Sequence, residues 1–398
     1  MLSRRGPTLV VMCAVALLLI VLWIAITPPD AGFPVPRRTT ELLPTAALTR
    51  SSTPVLARSQ AVEPATTSPA LPAARTTGVP PSLLATHSLA TGHLVFAAWH
   101  SPPRADDCST SIGIYMLTGG STQAAYLTNG CDPLIAPDAQ HVAFMRLGQL
   151  YVIGVDGHGE TQLTKSSSGV AGIVWSPDGQ SLAYGDYGGG EIYTIAVKGG
   201  KPVQLSTFRH SRSLSRPAWS PDGQQLAVTA LPIGVDDGDV YLIDIAGRQP
   251  THIARGMWPV WSPNGRYLAY NLSPTSAEGI AIVQRDGTVV TQLPRGADPV
   301  WSPDSERIAF TVRQGDHDDL SVMQRDGMQL RRLTQLISGH ILNPAVWSPD
   351  GTELAFTLTS QIDETLPQLY TLRLDEPSTA PTELLHGVLW NSVTWTAK

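Results

Sequence analysis

The sequence predicts an all-β protein: a seven-bladed β-propeller of four-stranded antiparallel blades, closed by its C-terminal strand and preceded by one transmembrane helix and a disordered linker. Three observations predict it. The motif Trp-Ser-Pro-Asp-Gly occurs at 175–179, 219–223 and 347–351, with close variants at 261–265 and 301–305. The tryptophans are spaced by 44, 42, 40 and 46 residues, a period that fits one four-stranded blade per repeat. Finally, 35 glycines and 33 prolines in 398 residues punctuate the chain too often for long helices.

The N-terminal element is the transmembrane helix. Residues 8–27 carry no charge, and twenty helical residues at about 1.5 Å each span the hydrocarbon core of a bilayer. Arg4 and Arg5 precede the run and the next positive charge is Arg37. Residues 1–7 are therefore expected to be a cytoplasmic stub, with the rest of the chain outside the cytoplasm, periplasmic or extracellular. A cleaved signal peptide is the alternative, but this apolar run is longer than the usual one and is followed at once by Pro28 and Pro29. Residues 28–91 hold eleven prolines and no apolar period. Such a segment is expected to remain an extended linker, because it buries too little to offset its ordering entropy; a glycosylated stalk is the alternative.

Residues 92–398 read as the propeller. In each unit a short apolar strand ends at the Trp, and Ser-Pro-Asp-Gly supplies a tight turn. A second strand follows, such as Ser181-Leu-Ala-Tyr184 or Arg307-Ile-Ala-Phe310. A third follows, such as Glu191-Ile-Tyr193, and then a turn such as Asp286-Gly287 or Asp326-Gly327. The fourth strand is of the type Gln162-Leu-Thr164 or Arg332-Leu-Thr334. Second strands at Leu94, Val142, Leu182, Leu226, Leu268, Ile308 and Leu354 mark seven blades. The second unit is worn, with Ile135 standing where the others have Trp. The first second strand has no inner strand before it, whereas Val393-Thr-Trp395 is left over at the end. Pairing the two closes the ring and hides both sheet edges, so one domain is expected. The aspartates Asp178, Asp222, Asp304 and Asp350 and the tryptophans Trp175, Trp219, Trp261, Trp301, Trp347 and Trp395 recur with the repeat. That recurrence assigns them to the blade framework and not to catalysis.

This pattern (WSPDG, an Ile/Leu-Ala-Phe strand, an Ile-Tyr strand, an Asp-Gly turn and an Arg-x-Leu-Thr strand) resembles the TolB-like family of propeller repeats. The resemblance implies a propeller. The family's type member is periplasmic, with six blades behind a small α/β domain, whereas here seven blades follow an anchor and a linker. TolB-like propellers also resemble the caps of prolyl-oligopeptidase-type hydrolases, but only three residues follow Trp395, and no hydrolase domain is expected.

Charge and cysteines narrow the function. The net charge of −6 includes +2 from Arg4 and Arg5 and +2 from the linker, leaving −10 for the propeller. Nucleic acid is excluded on that ground. Cys108 and Cys131 are placed on loops of one face, and an oxidising compartment favours a disulfide between them. The long loops are expected on that face, at 98–113, 232–238, 313–318 and 360–367, with Arg209 and Arg212 in a basic loop 208–216. The clusters at 236–239 and 316–319 lack the spacing of a calcium loop and read as solvated loop tips.

Counting three residues back from each Trp gives a ring at the channel mouth: Asp132, Gly172, Arg216, Trp258, Asp298, Pro344 and Ser392. Arg216 is suited to a peptide carboxylate, Asp298 to a backbone amide or a cation, and Trp258 to stacking. The plainer reading is that these side chains pair with one another and seal the channel. No nucleophile elbow, zinc helix, phosphate loop or dinucleotide motif occurs, and no cofactor is expected. The sequence thus predicts a monomeric, membrane-tethered module that binds an envelope protein or peptide and is not an enzyme. The alternatives are a channel-site hydrolase or lyase acting on a small substrate or glycan, and a purely structural envelope protein.

Overall fold

Seven antiparallel sheets form the domain. The structure is a computed structural model. It describes residues 83–89, 91–99, 112–186, 190–208, 211–234, 237–272, 279–315, 317–336, 339–341, 344–359, 367–375, 380–386 and 388–396. Among these, no helix is long and apolar enough to cross a membrane, and the apolar run 8–27 lies outside them. The chain divides into two units, Met1–Arg75 and Thr76–Lys398. The first lies wholly outside the described residues.

The ring closes as the repeat demands. Strand Val388–Thr396 pairs antiparallel with His93–Trp99, setting Trp395 opposite Leu94 and Val393 opposite Phe96. The first and last of these strands thereby complete blade 1, followed outward by Ile112–Thr118 and Ala125–Asn129. Blades 2 to 6 are each a continuous four-strand meander. In blade 7 the inner strand is split into His340–Ile341 and Val346–Trp347. Pro344 stands between the two pieces and has no N–H to give to the ladder.

The Ile/Leu-Ala-Phe motif is explained by packing between blades. On each second strand the large residues face one neighbouring blade and the alanine faces the other. Ala269 of blade 5 meets Trp301, Ile308 and Phe310 of blade 6. Ala309 of blade 6 meets Trp347, Leu354 and Phe356 of blade 7. A small residue on one wall admits a Trp from the other. The worn seam between blades 1 and 2 keeps the volume by a reciprocal change: Val95 replaces the alanine and Ile135 the Trp, within one buried cluster.

The tryptophans also tie inner strands together. Trp175 Nε1 donates to the Leu134 carbonyl of the preceding blade at 2.9 Å. Trp301 reaches Val260 O and Trp347 reaches Val300 O, each at 3.2 Å. In the Ser-Pro-Asp-Gly turns the serine hydroxyl donates to the aspartate, as Ser176 does to Asp178 at 2.6 Å. It also accepts the amide five residues on, as from Ser181 at 2.9 Å. The same aspartate oxygen accepts the amide two residues on, as from Gln180 at 3.0 Å. Neighbouring turns are bridged by Arg285, which crosses from blade 5 to Asp222 of blade 4 at 2.7 Å.

Burial pushes the Asp222 carboxyl up, but the Ser220 hydroxyl, the Arg285 guanidinium and the Gln224 amide together hold it down at about 2. A carboxyl depressed in the folded state stabilises the fold above its ordinary pKa of 3.8, and that contribution disappears as pH falls toward the folded value. Asp222→Asn should therefore lower the melting temperature at pH 7, and its curve should converge on wild type near pH 2. A pH series of thermal melts checks this.

Three expectations need correction. The linker does not run to residue 91. Leu83, Ala85 and Leu89 pack into the cluster shared by blades 7 and 1, and the segment is fastened on both sides of the closure. Ala85 N donates to Thr122 O at 2.8 Å and Thr86 N to Leu384 O at 3.0 Å, while His87 Nε2 meets Thr371 Oγ1 at 2.9 Å. Three apolar side chains suffice to order a short strap where a groove awaits them. Second, the basic segment 208–216 is largely strand. The inner strand of blade 4 runs Ser211–Trp219 because a similarly long partner, Gln225–Pro232, pairs with it as far as Ser211. Third, the described residues of the expected loop 313–318 and solvated tip 316–319 are hairpin strand, with Arg313 opposite Asp318 and Gln314 opposite His317. Gly315, at φ 68°, supplies its turn.

Asp319 of that hairpin is fully buried. It forms an ion pair with Arg332, accepts the Thr334 hydroxyl at 3.1 Å and accepts the Leu336 amide at 3.0 Å. Thr334 Oγ1 in turn accepts the Leu320 amide at 2.8 Å. Blade 2 repeats the device with Gln149, Thr164 and Leu150. The Leu-Thr pair that ends these two outer strands is thus a side-chain fastening, used where the strands are only two residues long.

Candidate functional site

The channel ring is built by a repeated defect in the inner strands. In blade 5, Met257 pairs with Asn271 and Val260 with Ala269, so the inner strand spends three residues where its partner spends two. The same bulge occurs between Cys131 and Leu134, between Ala171 and Val174, and between Ala297 and Val300. The residue it turns out of the ladder is the ring residue each time: φ is 49° at Asp132, 60° at Gly172, 55° at Trp258 and 53° at Asp298. A bulge re-aims a side chain and increases local twist. The proline that follows in three of them (Pro133, Pro259, Pro299) suits a position without a ladder hydrogen bond.

Left-handed backbone is tolerated by Asp but strained for Trp. Each such residue costs on the order of 1–3 kcal/mol and persists only where its surroundings enforce it. Here the enforcement comes from the preceding blade. Thr229, fully buried, accepts the Trp258 amide at 2.8 Å. Asn271, 5% exposed, accepts the Asp298 amide at 2.9 Å. The next polar residue of this series, Thr311, faces a blade whose ring residue is Pro344. It donates instead to Ala297 O of its own blade, at 3.2 Å. Glycines two residues before the ring residue make room for the second strand's aromatic: a Cβ on Gly130 would stand 2.6 Å from Phe144.

Asp132, Trp258 and Asp298 therefore share one backbone conformation at equivalent places of blades 2, 5 and 6. Arg216 and Arg212 lie on the inner strand of blade 4 and Ser392 on the closing strand, with side chains outside the described set. Arg209 and Cys108 also lie outside it, while Cys131 opens the inner strand of blade 2. Sequence counting missed the clamps Thr229 and Asn271. Their signal is a polar residue after the second strand's third position in blades 4 to 7 (Thr229, Asn271, Thr311, Thr357), against Ala97, Met145 and Gly185 in blades 1 to 3. At the opposite, turn-side mouth, Trp301, Trp347 and Trp395 line a cavity with Pro263, Pro303 and Pro349. Among the described residues, no three His, Cys, Asp or Glu side chains gather closely enough to hold a metal ion.

Fold and ring together define a seven-bladed propeller of the WSPDG-repeat class, with a constrained ring at the channel mouth. Residues 139–271 match the family model of the TolB beta propeller domain, which supports the TolB-like reading. Among solved structures, the chain is similar to TolB from Acinetobacter baumannii, at 16% identity and a TM-score of 0.49, over 77% of this chain and 67% of that one. It is similar to oligogalacturonate lyase from Vibrio parahaemolyticus at 13% identity and a TM-score of 0.54, over 75% and 87%. It is similar to a prolyl endopeptidase at 14% and 0.57, covering 78% of this chain but only 51% of that protein. At these identities the lyase and endopeptidase likenesses speak to the fold alone.

Proposed function

We propose that the chain is a membrane-tethered, extracytoplasmic member of the TolB-like propellers, a non-catalytic module that docks an envelope protein or peptide on its channel ring. The observation that carries this is the left-handed conformation of three non-glycine ring residues, Asp132, Trp258 and Asp298. A seal of the channel needs no such strain, since glycine at each position would remove it at no steric cost. Strain maintained by buried clamps is what a preorganised binding site requires. The apolar run 8–27 supplies the anchor, residues 28 to about 82 the spacer, and a Cys108–Cys131 disulfide braces the handover from blade 1 to blade 2.

The experiment is site-specific photocrosslinking in intact cells, with an aromatic photoreactive residue placed at Trp258 or, as control, at turn-side Gln224. The proposal expects a discrete adduct from position 258 alone, and the same preparation, alkylated before reduction, should show Cys108 and Cys131 protected. Equal or absent crosslinking at both positions contradicts the docking site.

A further inference from the structure

The chain contains four lysines, at 165, 198, 201 and 398; all its other cationic side chains are arginine. Lys165, Lys198 and Lys201 belong to blades 2 and 3. Lys165 and Lys201 line a cleft on the rim of the ring, where the two-residue outer strand Thr161–Gln162 leaves part of the blade 3 sheet uncovered. The site is separate from the channel ring and uses none of its residues.

The walls of this cleft are prepared for a polar ligand. Tyr193 stacks on Tyr184 with ring centroids 5.6 Å apart and interplanar angle 19°, giving a flat, partly exposed aromatic face. Ser166 and Ser168 give their hydroxyl hydrogens to Asp186 Oδ1, at 3.2 and 2.6 Å. Ser166 Oγ also accepts the Ser168 amide at 3.3 Å and stands 3.0 Å from Ser168 Oγ, so each serine oxygen keeps a lone pair for one further donor, and the acid lining the cleft is held by them. The loop carrying these serines is fixed from behind. Gln149 Oε1 accepts both the Thr164 hydroxyl at 3.1 Å and the Ser166 amide at 2.8 Å, and its Nε2 donates to Ser166 O at 2.8 Å. On the far wall Gly199 and Gly200, at φ 85° and 129°, leave the backbone open to close approach, with no atom within 4 Å of where a Cβ would sit.

We infer that this cleft between blades 2 and 3 binds an anionic carbohydrate chain. Lys165 and Lys201 meet its carboxylate or sulfate groups, the serine oxygens its hydroxyls, and Tyr193 one sugar face. Two cations set in an otherwise acidic propeller select for negative charge. The acceptor-rich wall and the aromatic face suit a sugar better than an acidic peptide, which has few hydroxyls to donate.

The test is a titration of the full-length protein in detergent with three probes: alginate oligosaccharide, neutral dextran of equal length and polyglutamate. Wild type should bind alginate in preference to both others. Lys165→Glu with Lys201→Glu should weaken alginate by about tenfold or more, and Tyr193→Ala should weaken it with Lys165 and Lys201 intact. The melting temperature of the lysine variant reports that the exposed substitutions leave the fold intact. Trp258→Gly should leave alginate binding unchanged, so failure here and failure of the ring site are distinguishable. Alginate binding no tighter than dextran, no binding at all, or polyglutamate bound as tightly with no loss in Tyr193→Ala, would each overturn the inference.

Discussion

Ending the chain before Val388 should abolish cooperative unfolding of the propeller. The lost strand supplies the inner edge of blade 1, its pairing with Leu94, Val95 and Phe96, and the side chains of Val388, Val393 and Trp395 in the closing cluster. Deleting one large core side chain costs roughly 3–5 kcal/mol. Here one Trp, two Val and a ladder go together, against a total stability of about 5–15 kcal/mol for a typical domain. The loss also leaves the inner edge of His93–Trp99 unpaired. Residues 83–89 do not compensate, because they bind blade 1 through its third-strand side and blade 7 through its outer strand. Chemical denaturation followed by tryptophan fluorescence should show a sharp sigmoid for the whole chain and a shallow drift for the truncated one. An unchanged transition would refute the closure.

Asp319→Ala should destabilise blade 6 strongly, by roughly 3 kcal/mol or more. The carboxylate is fully buried and holds the Thr334 hydroxyl, the Leu336 amide and the Arg332 guanidinium. Removing it orphans a buried hydroxyl and an amide, each costing about 1–3 kcal/mol. Arg332, about half exposed, turns to water and adds little. Asp319→Asn keeps the shape and one acceptor, so its cost should be smaller. Blade 2 performs the same fastening with Gln149, which shows that an amide is competent there. Urea melts of both variants rank them; equal losses would mean that charge, and not the acceptor pair, holds the outer strand.

What was legible in the sequence follows from how local each feature is. Blade number, turn chemistry and closure were readable because Ser-Pro-Asp-Gly acts within five residues and repeats. Even the worn second unit is intelligible, since Ile135 for Trp is compensated by Val95 for Ala across one seam. The ring positions emerged from counting, but their bulges did not. A bulge is a relation between two strands, and its only trace is a Gly-x-Asp/Trp-Pro pattern at 130–133, 256–259 and 296–299. The clamps Thr229 and Asn271 were invisible because each acts on the next blade, 29 and 27 residues away. The strap has no local signal, because Leu83, Ala85 and Leu89 look like linker until the groove between blades 7 and 1 is there to receive them.

The central claim, that strain at the channel ring is held for binding, is tested most directly by Trp258→Gly. Measured side by side are the melting temperature and the capture of the envelope partner crosslinked from position 258. Glycine relieves the left-handed backbone at that position and keeps the amide that Thr229 accepts. The account predicts a melting temperature equal to or above that of wild type, with capture lost. A variant that melts well below wild type while capturing its partner undiminished would show that Trp258 serves the fold and not the site.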